Sequence, residues 1–301
     1  MKLSIVFSLA ILLFGCSSQD DDLTTQDEPT VAYLKATIVY DEITGVDDNL
    51  LSFDVYYPNT DDAALRPVVF YVHGGGWRIG DKANSLENKI ALGQREDYIL
   101  VSTNYRLSPS IAANDPDRIK YPIHNKDIAT AFRWVYDNIA QYKGNREQIA
   151  LLGHSAGAQM VSLMGTNEQF LNEVGLGLGD LSGVASIDTE GYDVLSQVED
   201  GNEIYINAFG TDEQQNRAAS PLLNINDVAD YPPFFIAKRG SSRRIAQADD
   251  FINSLEQVGT TVEQITANQY THQEINVAIG MIGETAVTEP LAEFLERCFT
   301  R

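Results

Sequence analysis

The chain has 301 residues, 21 of them Lys or Arg and 43 Asp or Glu, for a formal net charge of −22 at pH 7. Phosphate backbones repel so acidic a chain and no basic stripe breaks the average, which argues against nucleic acid as a partner. A hydrophobic fraction of 44% with 21% charged residues excludes a fibre, a disordered chain and a polytopic membrane protein, and the two cysteines, Cys16 and Cys298, are too few for a disulfide framework and show no zinc-site spacing.

Residues 1–15 read as an export signal outside the fold. Lys2 supplies a positive start, and the apolar or small run 3–14 falls short of the roughly 20 residues that cross a bilayer. The run closes on Leu13, Phe14, Gly15 and Cys16, which resembles a bacterial lipobox. The resemblance implies a diacylated Cys16 as the mature N-terminus, although Phe14 departs from the small residue usual there. A plain secretory signal with an incidental cysteine is the alternative. Ser17 after the cysteine and the acidic Asp20, Asp21 and Asp22 imply, by the same resemblance, the outer membrane and surface export. Residues 16–30 are polar and acidic without an apolar period, and read as a flexible tether. Residues 31–301 read as one domain without internal repeats.

Within that domain, 33–40 and 51–57 are expected to form an opening antiparallel pair, with turn residues between them. Buried strands follow at 67–72, 98–103, 148–152 and 183–187, and two more at 234–237 and 261–267. Helical patterns fall between them, most clearly at 126–142, where Ile128, Ala131, Phe132, Val135 and Ile139 mark one face. This alternation predicts an α/β domain, a mostly parallel sheet covered on both faces by helices. In such sheets ligands bind beyond the carboxyl ends of the strands, so the residues after each strand carry the chemical interest.

Two strand ends are distinctive. Gly153-His154-Ser155-Ala156-Gly157 is a G-x-S-x-G sequence between a strand and a helix, the setting that exposes a serine on a tight turn. His73-Gly74-Gly75-Gly76-Trp77 follows the strand 67–72, and consecutive glycines there bring backbone N–H groups close to a bound substrate; an ordinary flexible turn is the simpler alternative.

With these motifs the sequence resembles the α/β-hydrolase fold, and within it the esterases and lipases related to hormone-sensitive lipase and to the bacterial feruloyl-esterase-like BD-FAE enzymes. The resemblance runs from about residue 50 to 299. It rests on HGGGW at 73–77, NYRLSP at 104–109, Asp127, GHSAG at 153–157, ASPL at 219–222 and His272. It implies a nucleophilic Ser155 and an oxyanion site formed by the N–H groups of Gly75, Gly76 and Ala156. HGGxW recurs in kynurenine-formamidase-like members, so an amide substrate stays open.

Of the four histidines, His73 belongs to the glycine loop, His154 to the turn and His124 precedes the serine. Only His272 follows it, as the chain order serine, acid, histidine requires. The acid is where the sequence departs from its relatives. Their usual aspartate follows the strand matching 234–238 in a G-S-x-D pattern, and here that stretch reads Gly240-Ser241-Ser242-Arg243. An arginine cannot accept an imidazole N–H. Asp188, directly after the strand 183–187, is the first choice of substitute, with Glu190, Asp193, Asp249 and Asp250 as competitors.

The reading is a lipid-anchored, exported serine carboxylic ester hydrolase of the α/β-hydrolase fold, with catalytic Ser155, His272 and Asp188. It needs no metal or other cofactor and acts on a small-molecule or polymer-borne ester. The stretches 108–121 and 167–181 are expected to cover the site. The alternatives are a non-catalytic surface binding protein, motivated by Arg243, and an arylformamidase-like amidase.

Overall fold

A computed structural model describes residues 31–110 and 118–300. The expected signal, Cys16 and the tether therefore lie outside the described residues. Among the described residues, eight strands form one sheet: β1 (Tyr33–Val39), β2 (Ser52–Pro58), β3 (Arg66–Val72), β4 (Ile99–Thr103), β5 (Gly144–His154), β6 (Gly183–Ile187), β7 (Phe234–Lys238) and β8 (Val262–Thr266). Their order is β1-β2-β4-β3-β5-β6-β7-β8, antiparallel through β1, β2 and β4 and parallel from β4 to β8. The helices are α1 (Glu87–Glu96), α2 (Ile123–Asn138), α3 (Ala156–Thr166), α4 (Gln169–Glu173), α5 (Val194–Glu199), α6 (Glu203–Phe209), α7 (Glu213–Ala218), α8 (Pro221–Asn224), α9 (Ser242–Gln257), α10 (His272–Ala278) and α11 (Thr288–Phe299). The protein is thus an α/β-hydrolase fold, and each of the eight expected strands is present.

The residues explain the layering. The central strands β4 and β6 are buried at every position, as two helical layers require, whereas β1 and β8 at the sheet edges alternate or stay partly open. Successive side chains of a strand point to opposite faces. On β3, Val68, Phe70 and Val72 join the core containing Phe132 and Val161, while Val69 and Tyr71 join the core containing Phe294 and Leu295. Helix boundaries are where expectation and structure part. α2 begins at Ile123 and yields to a 3-10 turn at Ile139–Tyr142, so the apolar period of 126–142 ran across two kinds of helix.

The order of the strands places the chemistry. From β3 the chain steps to β4 on one side and then crosses back to β5 on the other, so its direction across the sheet reverses about β3, the kind of switch point where crevices open. Val72 pairs with Gly153, His154 with Ile187, and Ile187 with Ala237. The glycine loop, the serine turn and the residue after β6 therefore stand side by side at one edge.

Candidate active site

The serine turn is built from steric necessity. Ser155 sits at φ 58° and ψ −119°, a backbone conformation that side chains rarely adopt and that costs about 1–3 kcal/mol. The surrounding structure holds it there: its N–H donates to Ile187 O at 3.0 Å, and α3 starts at the next residue. A Cβ on Gly157 would stand 2.0 Å from Val72 O, and one on Gly153 would stand 2.4 Å from Gly157 O, so only glycine lets β5, α3 and β3 approach so closely. Both glycines of the motif are thereby accounted for.

The glycine loop packs against this turn. A Cβ on Gly74 would lie 2.9 Å from Ser155 Cβ, and Gly75, at φ +116°, leaves no room beside Ile79 O. Among the described residues, the N–H groups of Gly75 and Gly76 donate to no backbone carbonyl. Ala156 is the first residue of α3, where N–H groups lack intrahelical partners. All three border the cleft that holds Ser155. The NYRLSP segment braces the loop from behind. Tyr105 stacks on His73 at 4.6 Å and donates to His73 O at 3.1 Å, Ser108 N–H donates to Trp77 O at 2.7 Å, and Arg106 is fastened to Asp127 of α2, whose Oδ2 accepts its backbone N–H at 2.9 Å.

His272 opens α10 one residue after the N-cap Thr271. The Thr271 hydroxyl accepts from Glu274 N–H and the Glu274 carboxylate accepts from Thr271 N–H at 2.7 Å, a reciprocal cap that fixes where the helix starts. Its Nε2 lies 2.8 Å from Ser155 Oγ and its Nδ1 lies 2.6 Å from Asp188 Oδ2. The His154 ring lies 4.7 Å from the His272 ring, and its Nε2 donates to His272 O at 2.9 Å. The other three histidines are buried. Burial pushes His154 and His124 down to about 3 and lowers His73 as well, whereas the His272 side chain is 36% exposed at the cleft.

Asp188 follows β6 directly, at φ 53°, with its N–H bonded to Ala237 O at 2.8 Å and its side chain 1% exposed. Burial pushes its carboxyl up, but the hydrogen bond from His272 and the charge of Arg244 outweigh that and hold it at about 2. Arg239 Nε reaches Oδ2 at 2.5 Å and Arg244 Nη2 reaches Oδ1 at 2.7 Å, while Arg244 Nη1 pairs with Glu190 at 2.8 Å. The ring nitrogens of His272 bond none of the competitors. Asp193 caps α5 by accepting from Ser196 N–H at 3.0 Å, Asp249 pairs with Lys238, and Asp250 is exposed on α9. Arg243 itself is exposed and pairs with Asp200.

His154, Asp188 and His272 offer three ligand atoms within 4.8 Å of one another, a spacing that a metal ion would accept. Those atoms are better explained by hydrogen bonds: His154 Nε2 and His272 Nδ1 both have oxygen partners, and two guanidinium groups occupy the carboxylate. The cleft has a volume of about 1020 Å³. It is bordered by the 73–80 loop, by 202–207 and by α10. Of the stretches expected to cover it, 167–181 does not border it, and Ser110 is the only described residue of 108–121 that does. The stretch 202–207, containing the start of α6, takes that place.

Residues 53–249 match the family model BD-FAE. The chain belongs to the BD-FAE family. It is 34% identical over 131 residues to Esterase-5C of Drosophila miranda, spanning 43% of this chain and 23% of the fly protein. It is 26% identical over 251 residues to Esterase LipQ of Mycobacterium tuberculosis, spanning 79% of this chain and 57% of that protein. The chain thus matches between about a quarter and somewhat over half the length of these relatives. Its fold is similar to the crystal structure of Esterase B from Lactobacillus rhamnosis, with a TM-score of 0.73 at 17% identity over 90% of this chain and 87% of that one.

Sequence reasoning named Ser155, His272 and Asp188, and the structure brings them together in one hydrogen-bonded line. It missed Arg239 and Arg244 on the acid, and His154 behind the histidine. The T-x-x-E cap at 271–274 was readable as the start of α10 and was not used. Only Arg243 stood out in the sequence, as the residue in place of the usual acid, because nothing local links residue 188 to residues 239 and 244.

Proposed function

We propose that this protein is a serine-dependent carboxylic ester hydrolase. The single observation that carries the reading is the continuous relay Ser155 Oγ to His272 Nε2 at 2.8 Å and His272 Nδ1 to Asp188 Oδ2 at 2.6 Å, at the head of a glycine-lined cleft. With Asp188 ionised, Nδ1 carries the imidazole proton and Nε2 presents its lone pair to the serine. Ser155 Oγ attacks the acyl carbon as His272 takes its proton, and the N–H groups of Gly75, Gly76 and Ala156 receive the developing oxyanion. His272 then protonates the departing alcohol, leaving an acyl-enzyme. Water, deprotonated by the same imidazole, releases the acid and regenerates Ser155.

The cleft supports a polar, accessible ester in preference to a long-chain lipid. Arg78, Asn202, Glu203, Asn207 and Gln273 border it, and apolar Ile79 and Ile204 stand at it largely exposed. The lipobox-like LFGC and the acidic stretch 16–30 support an exported lipoprotein at the outer membrane, with Cys16 as the lipidated residue. Reaction with a fluorophosphonate probe tests the chemistry. The wild-type chain is expected to be labelled on Ser155, and Ser155→Ala to lose the label together with ~10⁴–10⁶ of kcat on a short-chain aryl ester. A variant that keeps more than a tenth of the activity would overturn the reading. The non-catalytic alternative rested on Arg243, and Asp188 at His272 removes its motive.

A further inference from the structure

The charges around the acid call for an explanation that the relay does not supply. Asp188 is a buried carboxylate on a non-glycine left-handed backbone, and one neutral imidazole donor would leave most of its lone pairs without partners. Arg239, just after β7, and Arg244, in the first turn of α9, converge on it from a different strand end. Because Arg244 binds Oδ1 while Arg239 and His272 share Oδ2, the carboxylate is tied at both oxygens. A terminal sp³–sp² torsion is otherwise broad and soft. Glu190 holds the far side of the Arg244 guanidinium, so two carboxylates and two guanidiniums form a charge-balanced cluster. The segment that ends without an acid at Arg243 therefore supplies the cations for the acid on the neighbouring strand.

We propose that Arg239 and Arg244 are positioning residues that lock the Asp188 carboxylate in the orientation from which it holds His272 Nδ1, an inference that rests on the hydrolase reading above. Neither guanidinium touches the reacting atoms in this role. Their effect passes through Asp188 alone, which separates it from two simpler roles. Both arginines border the cleft, so a substrate-binding role would appear in KM. A purely structural role would lower activity independently of the carboxylate.

The test uses the full chain and an uncharged short-chain aryl ester, with Ser155→Ala as control. Arg239→Ala and Arg244→Ala are each expected to lower kcat about tenfold or more with KM within about twofold, and Arg244→Lys to recover part of the loss, since an ammonium reaches one oxygen but does not reproduce the planar fork. Combined with Asp188→Asn, either alanine substitution should lower kcat by less than about threefold further, because residues acting through one group are not additive. The inference fails if both single variants keep kcat within twofold, if KM rises with kcat intact, or if the losses multiply in the Asp188→Asn background. Should an alanine variant fail to fold by circular dichroism, the Arg239→Lys and Arg244→Lys variants, alone and with Asp188→Asn, decide the same question: a kcat loss that disappears in the Asp188→Asn background supports the inference, and no loss or a multiplying one overturns it. Activity surviving in Ser155→Ala would instead overturn the hydrolase reading itself.

Discussion

Ser155 and Asp188 share an unusual property: both are non-glycine residues at positive φ, 58° and 53°, each immediately after a parallel strand. In both, the strand's last backbone bonds continue onto the neighbour, from Ser155 N–H to Ile187 O and from Asp188 N–H to Ala237 O, so the sheet itself turns the side chain out over its edge. Asp188→Asn should keep this packing but favour the wrong imidazole tautomer, lowering kcat by up to ~10⁴, as in the serine-protease case. Asp193→Asn and Asp250→Asn should each change kcat by less than about tenfold, since a helix-cap or surface carboxylate contributes only ~1 kcal/mol. Steady-state kinetics of the three variants gives the ordering; a costly Asp193 or Asp250 would show the acid to be misassigned. Arg243, the residue that made the acid hard to place, is spent on a surface pair with Asp200.

At the scale of elements, the placement of α10 decides whether His272 meets Ser155. Three elements hold it: His154 of β5 at His272 O, Tyr71 of β3 at Asn276 Oδ1 at 3.0 Å, and Lys89 of α1 at Asn276 O at 2.8 Å. Lys89 is buried, also donates to Ser85 O at 2.9 Å and lies 4.9 Å from the Tyr71 ring centre. Burial pulls its ammonium down to about 7. Unfolded, the same lysine would titrate near 10.4. Between those values the unfolded chain binds more protons than the folded one, so Lys89 destabilises the fold below about pH 7 and the penalty disappears as pH rises towards 10. Thermal midpoints of wild type and Lys89→Met, compared from pH 6 to 9.5, should therefore diverge in favour of the wild type as pH increases. A constant difference would mean that burial does not lower the pKa of Lys89 in the folded protein. Other ionisable groups contribute alike to both chains and cancel in the comparison.

At the scale of the whole molecule, the sheet order makes the site, because β3, β5, β6 and β7 are neighbours in space while their ends are far apart in sequence. The net charge of −22 contrasts with the cluster around Asp188, where cations and anions balance. The proposed address belongs to this scale too, since a lipid on Cys16 would hold the domain at a membrane through the 16–30 stretch. Expressed in a bacterium that processes lipoproteins, Cys16→Ser should move the protein from the membrane to the soluble fraction with unchanged hydrolysis by the purified domain. Mass spectrometry that finds the wild-type mature protein soluble, with Cys16 present and unmodified, would count decisively against the anchor.

Alternation of apolar runs with amphipathic ones was enough to set out eight strands and an α/β fold, because burial on both faces leaves a central strand almost wholly apolar, an edge strand open on one side keeps polar residues there, and local composition records both. The glycines of 73–76 and 153–157 were equally legible, since steric exclusion of a Cβ acts on the residue itself. His272 could be read from chain order, and Asp188 only as one of several carboxylates near a strand end. What tertiary structure alone decided was which acid meets the histidine, which cations hold that acid, and which segment borders the cleft. Hydrogen bonds between Asp188 and residues 51 and 56 positions away, or between His154 and a carbonyl 118 positions away, depend on strand order and register, which no local pattern carries.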